Sequence, residues 1–271
     1  MDSYDPMFWF LKGSAEPRVV QWHSTDTAES YSEDLVSGKN PFKPGDFDYS
    51  FNANGFRCEE FNLPSDLQTV FCGCSNTEGV GLPLENVWAH CVLQQMREKT
   101  GLTIPYWNTA VSGGAVDTMA SQLFYIHRKT KIRPKLVIGW IPPLYVRDFS
   151  FRSSKEFHYS NVPGSRHPVF VDELITPVFT DKYFYHHQAV RSLRMISLIC
   201  EMWDAKMVMA CRGGSGFDVI SSQLQGFTHV QIPQLRTCDA RDGMHYGAPF
   251  HKELAGNFWK KIEPLLSELQ P

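Results

Sequence analysis

The 271-residue chain has no run approaching the roughly 20 apolar residues that a membrane-crossing helix needs, and it has no block of like charge. Its 26 Lys and Arg and 29 Asp and Glu are scattered along its length, which leaves no basic footprint for nucleic acid or an anionic lipid surface. Neither kind of partner is expected. Seven cysteines, an odd number over a long chain, do not make the dense framework of a small disulfide-stapled domain. Cys72 and Cys74 are spaced C-x-C, with no second pair or nearby His pair to complete a zinc site. His186 and His187 are adjacent and diverge by about 100° on a helix, and with His158 and His167 they are read as surface or structural residues. No metal and no cofactor are expected. The opening MDSYDPMFWFLKG has no basic stretch ahead of its aromatic run, unlike a secretory leader, so a reducing, cytoplasmic setting is expected.

What is present is enough apolar composition, 42%, to bury a sizeable core, arranged as short apolar runs alternating with helical stripes from residue 69 onward. Thr69 to Cys74 reads as a strand, and Val87, Trp88, Cys91, Val92 and Met96 follow at helical spacing before Gly101. Tyr106 to Val111 reads as a second strand, and Val116, Met119, Ala120, Leu123 and Ile126 as the next stripe. Leu136 to Ile141 is apolar almost throughout, as a parallel strand covered on both faces must be. Ala189, Leu193, Ile196, Cys200 and Trp203 form another stripe, Lys206 to Cys211 and His229 to Ile232 two further strands, and Phe250, Leu254, Phe258, Ile262 and Leu265 a final helix opened by Pro249. Such alternation predicts a single α/β domain, three-layer α/β/α, with a five-stranded parallel sheet whose ligands bind beyond the carboxyl ends of the strands. Residues 1–65 stand outside the pattern as an N-terminal extension. Residues 144–183 read as an insertion after the third strand.

The chemistry gathers just after strands. GCSNTEG places Ser75 at the end of the first strand, among small residues. A serine hydroxyl attacks only if a base takes its proton and a third group holds that base. RDGMHYG, after the fifth strand, supplies both: Asp242 and His245, three residues apart, share one side of a turn. NTAVSGG, after the second strand, supplies backbone donors, and the N–H groups of Gly113 and Ser75 are the expected oxyanion hole.

Together the three blocks resemble those of the SGNH (GDSL-like) hydrolase superfamily: its serine block, its glycine block and its D-x-x-H block, in that order. FNANGFR, residues 51–57, is similar to a lead-in segment of some members. The resemblance spans roughly residues 48–258 and implies a flavodoxin-like fold, metal-free hydrolysis through an acyl-serine, and small-molecule or glycan ester substrates such as acetylated sugars, lipids or small esters. Two departures stand out. Cys74 takes the place of the family's usual Asp, and GWIPPLYVRD, residues 139–148, lacks the Asn that members usually carry there as a donor to the oxyanion. Trp140 stands near that position. Asn76, Arg147 or a group from the insertion are the candidates to replace the donor, and Trp140 and Tyr145 the candidates to contact substrate. Phe149, Phe151 and Tyr159 either line an acyl or sugar pocket or pack over the core.

Two other functions remain open at this level. A catalytically silent protein of this fold, binding a glycan or serving structurally, fits the missing Asn. A nucleotide-binding module would use RGGSGFD, residues 212–218, but that run lacks the Gly-Lys-Ser/Thr ending of a phosphate loop.

Overall fold

The first described element is a short antiparallel ribbon in which β1 (Arg18–Val20) pairs with β2 (Tyr49–Phe51). The computed structural model describes residues 16–31, 42–144, 149–153, 156–160, 182–211, 215–224, 226–234 and 239–269. After the ribbon come β3 (Thr69–Cys72), α1 (Ser75–Glu78), α2 (Trp88–Thr100), α3 (Val116–Lys129) and β4 (Leu136–Trp140). A hairpin of β5 (Phe149–Ser153) and β6 (Glu156–Ser160) stands in the insertion. The long α4 (Lys182–Trp203), β7 (Lys206–Cys211), α5 (Ser215–Gln223), β8 (Phe227–Gln231) and α6 (Ala248–Leu269) complete the described elements.

The central sheet is parallel throughout, in the order β3-β4-β7-β8. Side chains alternate across it. Val70, Val137 and Met209 share one buried cluster with the stripes of α3, α4 and α5, while Phe71, Ile138 and Val208 share the other with α2 and α6. A strand covered on both faces needs apolar residues at every position, and all residues of β3 and β4 are buried. The result is the three-layer α/β/α arrangement expected from the sequence.

Among the described residues the parallel sheet has four strands where five were expected. The predicted second strand, Tyr106 to Val111, makes one parallel bridge, Phe71 with Asn108, through Phe71 N–H to Trp107 O (2.8 Å) and Thr109 N–H to Phe71 O (2.8 Å). Pro105 has no N–H to give. Tyr106 spends its N–H on the Glu59 carboxylate (2.6 Å) and its carbonyl on Glu59 N–H (3.0 Å). Even reduced to one bridge, this edge segment follows β3 in the chain and lies on the opposite side from β4. The chain therefore reverses direction across the sheet between β3 and β4, the kind of switch point where open α/β sheets bind ligands.

The two faces are also tied end to end. α2 has no side-chain cap of its own, and its first N–H, that of Trp88, donates instead to Nδ1 of His251 on α6 (3.1 Å). Burial holds His251 down at about 3, which keeps the ring neutral, so that one nitrogen can accept, and the Trp88 N–H makes that nitrogen Nδ1. The Trp88 and Phe258 rings stack 4.3 Å apart below it. Among the described residues no helix is long and apolar enough to cross a membrane.

Candidate active site

Ser75 leaves the carboxyl end of β3 as the first residue of α1, with Gly73 and Cys74 between. The N–H groups of Thr77 and Glu78 both return to Cys74 O (2.8 and 3.0 Å), so those of Ser75 and Asn76 are the helix-start donors without an intrahelical acceptor. α1 is pinned from two sides. Arg57, buried to 2% exposure, donates to the carbonyls of Glu78, Gly79 and Leu82 (3.2, 2.6 and 2.8 Å). Asn108, the first residue of the glycine block, donates from Nδ2 to Thr77 O (2.8 Å) and Tyr106 Oη (2.8 Å) and accepts Ala110 N–H on Oδ1 (3.0 Å). The glycine block lies close by, since a Cβ placed on Gly114 would come within 3.3 Å of Gly73 O.

Asp242 and His245 meet as expected. His245 Nδ1 lies 2.6 Å from Asp242 Oδ2, and Asp242 Oδ1 accepts the backbone N–H groups of Met244 and His245 (both 3.1 Å). Burial opposes the charged carboxylate. The bonds from His245 and Thr25 outweigh it and bring Asp242 down to about 2. The carboxylate is thus ionised at any ordinary pH, and it fixes the proton on Nδ1 so that Nε2 is the basic ring atom. The loop holding this pair is bonded to the turn after α1 through Arg241 N–H to Gly81 O (2.9 Å). Ser75 and His245 do not hydrogen-bond to each other in this structure.

The remaining expectations divide. Gly113 sits at φ +77° in the turn after Val111. Gly114 gives its own N–H to Val111 O (3.0 Å), so of the pair it is Gly114 whose N–H is committed within the turn. Asn76 follows Ser75, and its Oδ1 is buried without a hydrogen-bond partner. Trp140 ends β4 at 4% exposure, and its ring stacks on Tyr246 (5.9 Å) and Phe250 (5.6 Å), in the core beneath the Asp-His loop. Tyr145 and Arg147 lie outside the described residues, as do the side chains of Phe149, Phe151 and Tyr159. Cys74 is a poor rival nucleophile because burial raises its thiol pKa, disfavouring the thiolate.

A contribution absent from the sequence reading comes from the N-terminal extension. His23 to Asp26 form a closed turn (His23 N–H to Asp26 O, 2.9 Å; Asp26 N–H to His23 O, 3.1 Å). His23 Nε2 pairs with Glu78 Oε1 (2.9 Å), the Ser24 and Ser112 hydroxyls meet, and Thr25 Oγ1 donates to Asp242 Oδ2 (2.6 Å). Asp26 forms an ion pair with Arg241 (2.6 Å), both fully buried. The only sequence signal was the polar run His23-Ser24-Thr25-Asp26, which reads equally well as an ordinary turn.

Gly81 shows how tightly these parts are fitted. Its φ is +77°, and a Cβ there would stand 2.8 Å from Ala240 Cβ, 3.1 Å from Arg241 N and 3.2 Å from Asp242 Oδ1. Gly81→Ala is expected to cost about 1–3 kcal/mol from the left-handed backbone and the crowding together. Urea unfolding measures it; a loss under 0.5 kcal/mol would show that the turn adjusts freely.

No family model matches the chain, and no curated protein matches it. Solved structures similar to it include TesA, at 15% identity and a TM-score of 0.47, covering 73% of this chain and 98% of that one. Another is the psychrotrophic esterase EstA from Pseudoalteromonas, at 13% identity and a TM-score of 0.47, covering 74% and 99%. A third is the acetylxylan esterase Axe2 from Geobacillus stearothermophilus, at 15% identity and a TM-score of 0.45, covering 73% and 94%. Each likeness takes in nearly all of the other chain and about three quarters of this one.

Proposed function

We propose that the chain is a serine ester hydrolase, an esterase or a carbohydrate or lipid deacylase, working through an acyl-serine intermediate. The observation that carries this reading is the Asp242–His245 pair at 2.6 Å. It is held on a loop bonded to the turn after α1, the helix that Ser75 opens at the carboxyl edge of β3.

In this mechanism Ser75 Oγ attacks the ester carbonyl carbon while His245 Nε2 takes its proton. The carbonyl oxygen becomes an oxyanion that accepts from the N–H groups of Ser75 and Gly113, and each such donor contributes about 2.7–4 kcal/mol in comparable sites. The intermediate collapses, and the alcohol leaves with the proton from His245. Water then attacks the acyl-serine, giving its proton to His245, and the acid departs as Ser75 Oγ recovers a proton. Asp242 stays ionised throughout and stabilises the imidazolium.

The test is labelling by a fluorophosphonate together with hydrolysis of p-nitrophenyl acetate. Wild type is expected to do both, and Ser75→Ala neither, with turnover reduced by about 10³-fold or more. The silent, glycan-binding alternative draws on Trp140 standing where an oxyanion-donating Asn is expected. An unlabelled wild-type protein that binds acetylated oligosaccharides equally well with and without Ser75 would establish that alternative.

A further inference from the structure

The four residues of the His23–Asp26 turn reach three separated parts of the site: the end of α1, the glycine block and the Asp-His loop. The turn holds its shape at a local cost, since Ser24 is a non-glycine residue at φ +59°, a conformation kept only where the surroundings over-determine it. The contact that bears on chemistry is the one from Thr25. Asp242 is buried to 2% exposure, and three of its four hydrogen bonds come from its own loop: two backbone N–H groups on Oδ1 and the imidazole on Oδ2. The fourth comes from Thr25, 217 residues away in the chain, to the same oxygen that receives the imidazole.

The two backbone N–H groups on Oδ1 tie the carboxylate to its own loop, so with the ring as its only donor Oδ2 follows whatever that loop does, and the imidazole follows with it. With two, the oxygen is fixed in direction as well as in charge. We infer that Thr25 is a positioning residue for the catalytic imidazole, and that the N-terminal turn completes the active site instead of merely packing against it. Thr25 touches no reacting atom. It acts through Asp242 on the angle that Nε2 presents to Ser75. This rests on the acyl-serine reading for its kinetic consequence, but the hydrogen bonding can be measured without turnover.

The experiment compares wild type with Thr25→Val, Thr25→Ala and Thr25→Ser. On p-nitrophenyl acetate, Val and Ala are expected to lower kcat about tenfold, the weight of one hydrogen bond to a charged group, with KM within about twofold. Thr25→Ser, which keeps the hydroxyl, is expected to restore kcat. In proton NMR the downfield His245 Nδ1–H resonance should be sharp and alike in wild type and Thr25→Ser, and displaced or broadened in Thr25→Val. Wild-type kcat together with an unmoved resonance in the folded Val and Ala variants would overturn the inference, as would failure of both to fold, which would make Thr25 a residue of the fold. If wild-type Ser75 takes no fluorophosphonate, the esterase reading falls on its own and the resonance alone decides the role of Thr25.

Discussion

Replacing Asp242 with Asn is expected to lower kcat/KM for p-nitrophenyl esters by about 10³–10⁴-fold, the scale seen when a triad acid is neutralised without changing its shape. The reason lies in the four donors that surround the side chain. Met244 N–H and His245 N–H point at Oδ1, and His245 Nδ1–H and Thr25 Oγ1 at Oδ2. A carboxylate accepts on both oxygens; an amide accepts on one and donates from the other. If the amide nitrogen turns toward the backbone, it meets two N–H groups. If it turns toward His245, the ring must surrender its Nδ1 proton and hold it on Nε2, where it can no longer take one from Ser75. The same replacement changes the response to acid. Asp242 titrates at about 2, below its ordinary value of 3.8, so its ionised form stabilises the fold above about pH 4, and that contribution is lost as the pH falls through 2. It is on the order of 2 kcal/mol. The stability gap between wild type and Asp242→Asn, read from urea unfolding, should therefore narrow between pH 4 and pH 2; a constant gap would show that the carboxylate is not held as described.

Some of this architecture was legible in the amino-acid order and some was not, for reasons that can be named. Thr69–Cys72, Leu136–Trp140 and Lys206–Cys211 were found to within two residues because a strand buried on both faces is a continuous apolar run. The segment from Tyr106 had the same apolar look, yet Glu59 captured the groups of Tyr106 that a ladder would have used, a tertiary competition invisible to periodicity. At the site, Asp242 and His245 were readable because they interact across three residues. Thr25, Asp26 and Arg57 were not, since their partners at 242, 241 and 78–82 come from remote blocks, and a Ser-Thr-Asp run announces a turn whether or not a carboxylate waits beside it. Trp140 ends β4 under the rings of Tyr246 and Phe250, a cover that comes from the remote block around Asp242 and that a strand pattern does not announce.

The second large effect is expected at Asp26. Its carboxylate grips Arg241 through three contacts, of 3.0, 3.1 and 2.6 Å, and both residues are fully buried. The guanidinium is closed in by the rings of Trp22 (4.6 Å) and Phe47 (3.9 Å) and has the Gln21 carbonyl as a further acceptor (2.8 Å). Asp26→Ala leaves that charge buried without its counterion, which typically costs about 3–5 kcal/mol. Tyr49 loses the acceptor of its hydroxyl in the same step. Urea unfolding should report the loss, and fluorophosphonate labelling of Ser75 should slow with it, because Arg241 immediately precedes Asp242 and Asp26 immediately follows Thr25. Volume and direction can then be separated. In a double variant, Asp26→Leu with Arg241→Met, the buried charges are gone, and replacing such a pair by apolar side chains is often neutral or stabilising; most of the lost stability should return. The labelling rate should not, because apolar contacts have no fixed direction and would let the turn shift Thr25 away from Asp242. Recovery of both stability and labelling in the double variant would mean that packing alone seats the turn, and that the ion pair has no part in aligning the site.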